Sequence, residues 1–150
     1  MWDVSGRPWD QIVALDGRQF TSGPVNHFSP SINDYDEVVW HEYVGGYTQI
    51  FSSLRGQITF GNYSSFDPFT NNAGEIVWVS EIGGQRYIFS NVSGLIAVGD
   101  SPSINDLGEI VFTRDGQIYK ASPVPEPSTI LLFVCGLAGI AGLGKRFRTV

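Results

Sequence analysis

Residues 67–89 read DPFTNNAGEIVWVSEIGGQRYIF. The run Ile76-Val77-Trp78-Val79 suits a strand, Gly83-Gly84 a hairpin turn, and Tyr87-Ile88-Phe89 the returning strand. Successive positions of the run are apolar, so both faces of its sheet need cover. The same parts recur in 29–51, SPSINDYDEVVWHEYVGGYTQIF, and in 101–119, SPSINDLGEIVFTRDGQIY. Pro30, Pro68 and Pro102 correspond at intervals of 38 and 34 residues, as do Glu37, Glu75 and Glu109, and Trp40, Trp78 and Phe112. The turns are Gly45-Gly46, Gly83-Gly84 and Asp115-Gly116. A further strand is expected at Gln57–Phe60 and at Leu95–Val98, whereas the Ser/Asp-Pro and Asn/Asp residues ahead of each first strand read as a loop. A partial copy precedes these: DQIVALDGRQF, residues 10–20, resembles the hairpin of the third copy.

Sheets covered on both sides and repeating every 34–38 residues predict an all-β chain of about three propeller-like antiparallel blades. The copies lie near 10–28, 29–66, 67–100 and 101–122 of a repeat region spanning 1–122. Closed propellers have about four to eight blades, so this is an incomplete propeller. SPSIND followed by GEIV, a turn and Ile118-Tyr119 resembles the TolB-like propeller blade, which carries Ser-Pro-Asp/Asn ahead of a strand and Ile-Tyr in the next.

After residue 122 the composition changes. A spacer, 123–129, holds Pro125, Glu126 and Pro127; 130–144, ILLFVCGLAGIAGLG, has no charge; 145–150 carries Lys145, Arg146 and Arg148. Proline cannot continue a helix, Ser128 and Thr129 can cap one, and 15 apolar residues make a helix about 22 Å long, at the short end for a bilayer. The expectation is a C-terminal transmembrane helix, with the basic cluster holding that end in the cytoplasm and the repeat region outside. The spacer, short glycine-rich span and basic end together resemble the PEP-CTERM sorting signal of exported bacterial proteins. That resemblance implies a membrane partner, exosortase, which recognises Pro125-Glu126-Pro127 and releases the protein to the cell surface or exopolysaccharide matrix. It also implies an N-terminal signal peptide, yet MWDVSGRPWDQIV has neither a basic start nor an apolar run. Either the chain is tail-anchored without one or Met1 is not the native start, and the count of blades points to the second.

The chain has a net charge of −6, but ahead of residue 128 six basic against fifteen acidic residues leave −9. Such a domain repels phosphate backbones, which argues against nucleic acid as a partner. The single cysteine, Cys135, lies in the apolar span and offers neither a disulfide nor a thiolate metal site. Asn33-Asp34, Asn71-Asn72 and Asn105-Asp106 raise a calcium hypothesis, but their spacing fits no EF-hand and tight turns explain them. His27 and His41 lack metal-ligand spacing and a paired acid. Glu37, Glu75 and Glu109 recur in register and read as structural rather than as a sugar-cleaving pair, and Trp40, Trp78 and Phe112 read as core wedges. Tyr35, Tyr43, Tyr47, Tyr63, Phe66 and Phe69 repeat less well and are candidates for stacking on sugar or protein. The sequons at Asn62 and Asn91 carry little weight in the bacterial setting that the tail's resemblance implies. No catalytic residue, metal or cofactor is assigned. The functional expectation is a non-catalytic, surface-sorted protein that binds extracellular polysaccharide or an envelope protein. The alternative is an N-terminally truncated fragment of a propeller enzyme acting on extracellular glycans.

Overall fold

The computed structural model describes residues 9–122, which form strands and turns without a helix. Among these residues no helix is long and apolar enough to cross a membrane. The spacer, the apolar run 130–144 and the basic end lie outside the described residues.

Three antiparallel sheets follow one another. The first contains β1 (His27–Ile32), β2 (Val38–Val44), β3 (Tyr47–Ser52) and β4 (Gly56–Gln57) in that spatial order. The second repeats it with β5 (Ser64–Thr70), β6 (Ile76–Ile82), β7 (Gln85–Ser90) and β8 (Gly94–Val98). The third has β9 (Asp100–Ile104), β10 (Ile110–Arg114) and β11 (Gln117–Ala121). The β2–β3, β6–β7 and β10–β11 hairpins turn at the three expected dipeptides, whose glycines all have positive φ.

The segments read as loops from sequence prove to be the first strand of each sheet. Ser29-Pro30, Asp67-Pro68 and Ser101-Pro102 each sit at a register shift in β1, β5 and β9. Proline removes a ladder hydrogen bond, so it belongs on an edge strand or at a bulge, and here it has both. The residue before each proline takes φ of 48°, 50° and 51°, which bends the strand at the same point three times. The expected strand at Gln57–Phe60 is shorter and starts earlier, as β4. There Ile58 and Thr59 both turn their N–H groups onto the Ile50 carbonyl, which ends the ladder.

Period 2 explains the core. In β6, Ile76 and Trp78 point to the first sheet and pack with Val39 and Ile50. Val77 and Val79 point the other way and, with Ile88, pack against Ile110 and Phe112 of the third sheet. The second sheet is thus covered on both faces, which is why its strand is apolar at consecutive positions. Each fully buried Val or Ile stabilises by about 1.5–3 kcal/mol relative to exposure. Trp40, Trp78 and Phe112 stack on their cross-strand partners Phe51, Phe89 and Tyr119 with centroids 6.0, 6.2 and 5.7 Å apart.

Residues 10–26 depart from the expectation. Their hydrogen bonds reproduce those of 48–64 at an offset of 38, not those of the third copy's hairpin. Ile12 N–H donates to Thr21 Oγ1 and Thr21 to Gln11 Oε1, as Ile50 does to Thr59 and Thr59 to Gln49. Gln11 reaches Gly23 and Val25 carbonyls as Gln49 reaches those of Gly61 and Tyr63. The Val13–Gln19 bridge matches Phe51–Gln57. This segment is therefore the β3–β4 half of a unit. Asp16-Gly17 mimicked Asp115-Gly116 in sequence because both are tight-turn dipeptides.

Candidate functional site

The three proline-bearing strands converge. A groove of about 360 Å³ runs across them, lined by Ser29 and Pro30, Asp67 to Phe69, and Ser101 to Ser103. Pro68 and Pro102 are buried and form its floor. Ser29 Oγ donates to Asp67 Oδ1 at 2.9 Å, joining the first two sheets at the rim. Asp67 N–H donates to His41 Nδ1 at 3.3 Å, and the His41 ring stacks on Phe28 at 5.5 Å. Burial pushes the His41 pKa below its ordinary value, opposed in part by the Asp67 carboxylate, in keeping with Nδ1 accepting from the Asp67 N–H. The groove offers serine hydroxyls, one carboxylate and the exposed edge of Phe69, a surface suited to hydroxyl-rich or peptide ligands.

The Asn/Asp residues do more than shape turns. Asn33 Oδ1 accepts from the N–H groups of Tyr35 and Glu37, while its Nδ2 donates to the Asn71 carbonyl of the next sheet at 3.0 Å. Asn71 repeats this, accepting from Glu75 N–H and donating to the Asn105 carbonyl at 3.0 Å. Beside this ladder Asn72 Nδ2 donates to both Asp34 and Asp106, at 2.7 and 2.9 Å. Asn105 has no further sheet to reach among the described residues, and its amide turns back to Glu109. A sequence shows each turn, but not that one amide also joins neighbouring sheets. Among the described residues no three His, Cys, Asp or Glu side chains gather as a metal site requires.

The repeated glutamates each clasp the hairpin opposite. Glu37 Oε1 accepts from Ser52 Oγ at 2.6 Å, Glu75 from Ser90 at 2.5 Å, and Glu109 pairs with Lys120 at 2.5 Å. Lys120 and Asn105 hold the Glu109 carboxyl below its ordinary range. Glu37 is buried and also meets Arg55, whose guanidinium lies over Gly74 of the next sheet.

His27 was not legible from sequence. It is buried, with Nδ1 3.0 Å from the Asp10 carbonyl and Nε2 3.0 Å from Glu42, so it does have a paired acid. Glu42 also accepts from the Trp40 indole. In the second sheet the equivalent positions are Ser65 and Ser80, which bond each other at 2.9 Å, with Trp78 donating to Ser80. The His–Glu pair thus replaces a serine pair in the same structural place.

Of the other aromatic candidates, Tyr35 and Tyr43 are exposed, whereas Tyr47, Tyr63 and Phe66 are half-buried. Asn91, of one sequon, bonds Ile76 N–H and the Gly74 carbonyl. Pro125, Glu126, Pro127, Lys145, Arg146 and Arg148 lie outside the described residues.

The fold defines a class: an all-β array of repeated antiparallel sheets. The tail adds a specific finding. Residues 123–146 match the model of the PEP-CTERM protein-sorting motif, which supports exosortase-dependent sorting to the cell surface. No curated protein matches the chain.

Proposed function

We propose that this chain is a non-catalytic exported protein in which a β-sheet binding region is delivered by its C-terminal signal. The match at 123–146 carries the proposal. In this reading 130–144 crosses the cytoplasmic membrane, and Lys145, Arg146 and Arg148 stay inside. The three sheets stand outside as propeller-like blades. Exosortase engages Pro125-Glu126-Pro127 in an extended spacer just outside the bilayer, where paired prolines keep the backbone out of the helix. The proline-floored groove, together with exposed Tyr35 and Tyr43, supplies the surface for polysaccharide or an envelope protein.

The test is processing in cells that contain exosortase, with an added signal peptide to secure export. The parent should be cut near the motif and released, and a variant with Pro125, Glu126 and Pro127 all changed to Ala should stay in the membrane fraction. Equal release of variant and parent would remove the proposal.

A further inference from the structure

The hexapeptide SPSIND stands at 29–34 and again, unchanged, at 101–106, whereas the middle copy, 67–72, reads DPFTNN. All three occupy the same structural place, since Ser31, Phe69 and Ser103 pair with Val39, Val77 and Val111 in their sheets. What the strand and its bend require is therefore met by Ser-Pro-Ser, twice. The positive φ of Asp67, 50°, gives aspartate no special claim, because Ser29 and Ser101 adopt 48° and 51°. Of the four departures in the middle copy, Asn72 serves the amide ladder and Thr70 is buried. The other two, Asp67 and Phe69, both line the proline-floored groove.

These two side chains bring to the groove groups that the flanking copies lack. Phe69 is 40% exposed, so much of its ring is left open to a ligand. Asp67 Oδ1 is engaged by Ser29, and its Oδ2 accepts no hydrogen bond among the described residues. Ser101 and Ser103 add hydroxyls from the third sheet. A ring beside a carboxylate and hydroxyls matches a sugar, whose C–H face stacks on the aromatic while neighbouring hydroxyls donate to the carboxylate. An added peptide strand fits less well. The edge strands β1, β5 and β9 each carry a proline and a register shift where that strand would have to pair. No Lys or Arg lines the groove, and the chain ahead of residue 128 carries −9, so an acidic glycan is repelled.

We infer that Asp67 and Phe69 are the specificity-determining pair of a neutral-saccharide site in this groove. This rests on the reading of the groove as a binding surface under the proposed function, and it narrows the ligand to one class. At about 360 Å³ the groove is at the small end of the roughly 300–1,000 Å³ of ligand pockets, so it takes a short stretch of glycan.

The experiment is titration calorimetry on the full-length chain in a detergent without a sugar headgroup. The probes are short oligosaccharides cut from dextran, cellulose, mannan and galactan, with oligoglucuronate as the acidic counterpart and a lysine-rich peptide as the protein counterpart. A neutral oligosaccharide should bind, and Phe69→Ser and Asp67→Ser should each weaken it about tenfold. Both variants restore the residue of the flanking copies, so the strand keeps a sequence it already folds with twice. Phe60→Ser removes a ring that is 66% exposed and outside the groove, and should leave the affinity unchanged. Neutral binding that survives both groove substitutions, or that is lost with Phe60→Ser instead, would overturn the inference. Tighter binding of oligoglucuronate or of the peptide would overturn the ligand class, and no heat from any neutral probe would overturn the site. Exosortase takes no part in these measurements. Failure here therefore leaves the sorting reading standing, and equal release of variant and parent in cells leaves this site standing.

Discussion

Replacing Asn71 by Ala tests whether the asparagine ladder holds the sheets together. Asn71 is 4% exposed; its Oδ1 accepts from Glu75 N–H at 2.9 Å and its Nδ2 donates to the Asn105 carbonyl at 3.0 Å. Alanine deletes both bonds and leaves two backbone groups short of a partner. A net hydrogen bond is worth about 1 kcal/mol and a stranded buried group costs about 1–3. Water reaches the exposed Asn105, so the loss should be about 2–3 kcal/mol. Asn33→Ala removes the equivalent set and should cost a similar amount. Asn105→Ala is the internal control. Its Oδ1 serves its own turn, to Leu107 and Glu109, but its Nδ2 joins no other sheet. It is exposed, and the change should cost about 0.5–1 kcal/mol. The difference of about 1–2 kcal/mol between Asn71 and Asn105 isolates the bond between sheets. Urea unfolding of the full-length chain in mild detergent, followed by tryptophan fluorescence, measures all three, since Trp40 and Trp78 are in the core. Equal destabilisation by Asn71→Ala and Asn105→Ala would refute the reasoning, because the ladder would then add nothing beyond its turns.

Two further outcomes follow from the same packing. Gly99→Ala should destabilise by about 1–3 kcal/mol, because a Cβ there would sit 2.6 Å from the Phe112 ring and 2.8 Å from the Thr113 carbonyl; an unchanged urea midpoint would show that the third sheet yields freely. His41 supplies a pH dependence. Its folded pKa lies below the ordinary 6.5, so below that pH the unfolded chain binds a proton that the folded chain refuses. Stability should therefore fall as pH drops from 6.5 towards the folded value, with a slope of at most about 1.4 kcal/mol per pH unit from this group. His41→Asn should flatten the profile in that window, and an unaltered slope between variant and parent would assign the effect elsewhere.

Some of this protein was written in local sequence. Gly45-Gly46, Gly83-Gly84 and Asp115-Gly116 specify hairpins because only such residues take the turn's positive φ at little cost. Apolar residues at consecutive positions of Ile76-Val77-Trp78-Val79 require cover on both faces, and stacked sheets provide it. The sorting tail is a matter of composition and order alone, and the match to 123–146 needed no tertiary structure. The recurrence of Glu37, Glu75 and Glu109 marked a structural role, and the clasp on Ser52, Ser90 and Lys120 supplies it.

Other features existed only once distant segments met. Proline argued against a strand at Ser29-Pro30 and its equivalents, and an edge position with a bulge is what permits one. The groove across those strands joins residues 38 and 34 apart, so no single repeat contains it. Residues 10–20 matched one hairpin by their turn dipeptide but another by their hydrogen bonds, since a short dipeptide fixes a turn and not the strand pair it joins. The partner of His27 is Glu42, brought opposite by the register of β1 and β2. Local sequence sets φ, ψ and the side-chain period; register and stacking are set by which buried faces and amides satisfy one another across sheets, and that is decided only in the folded chain.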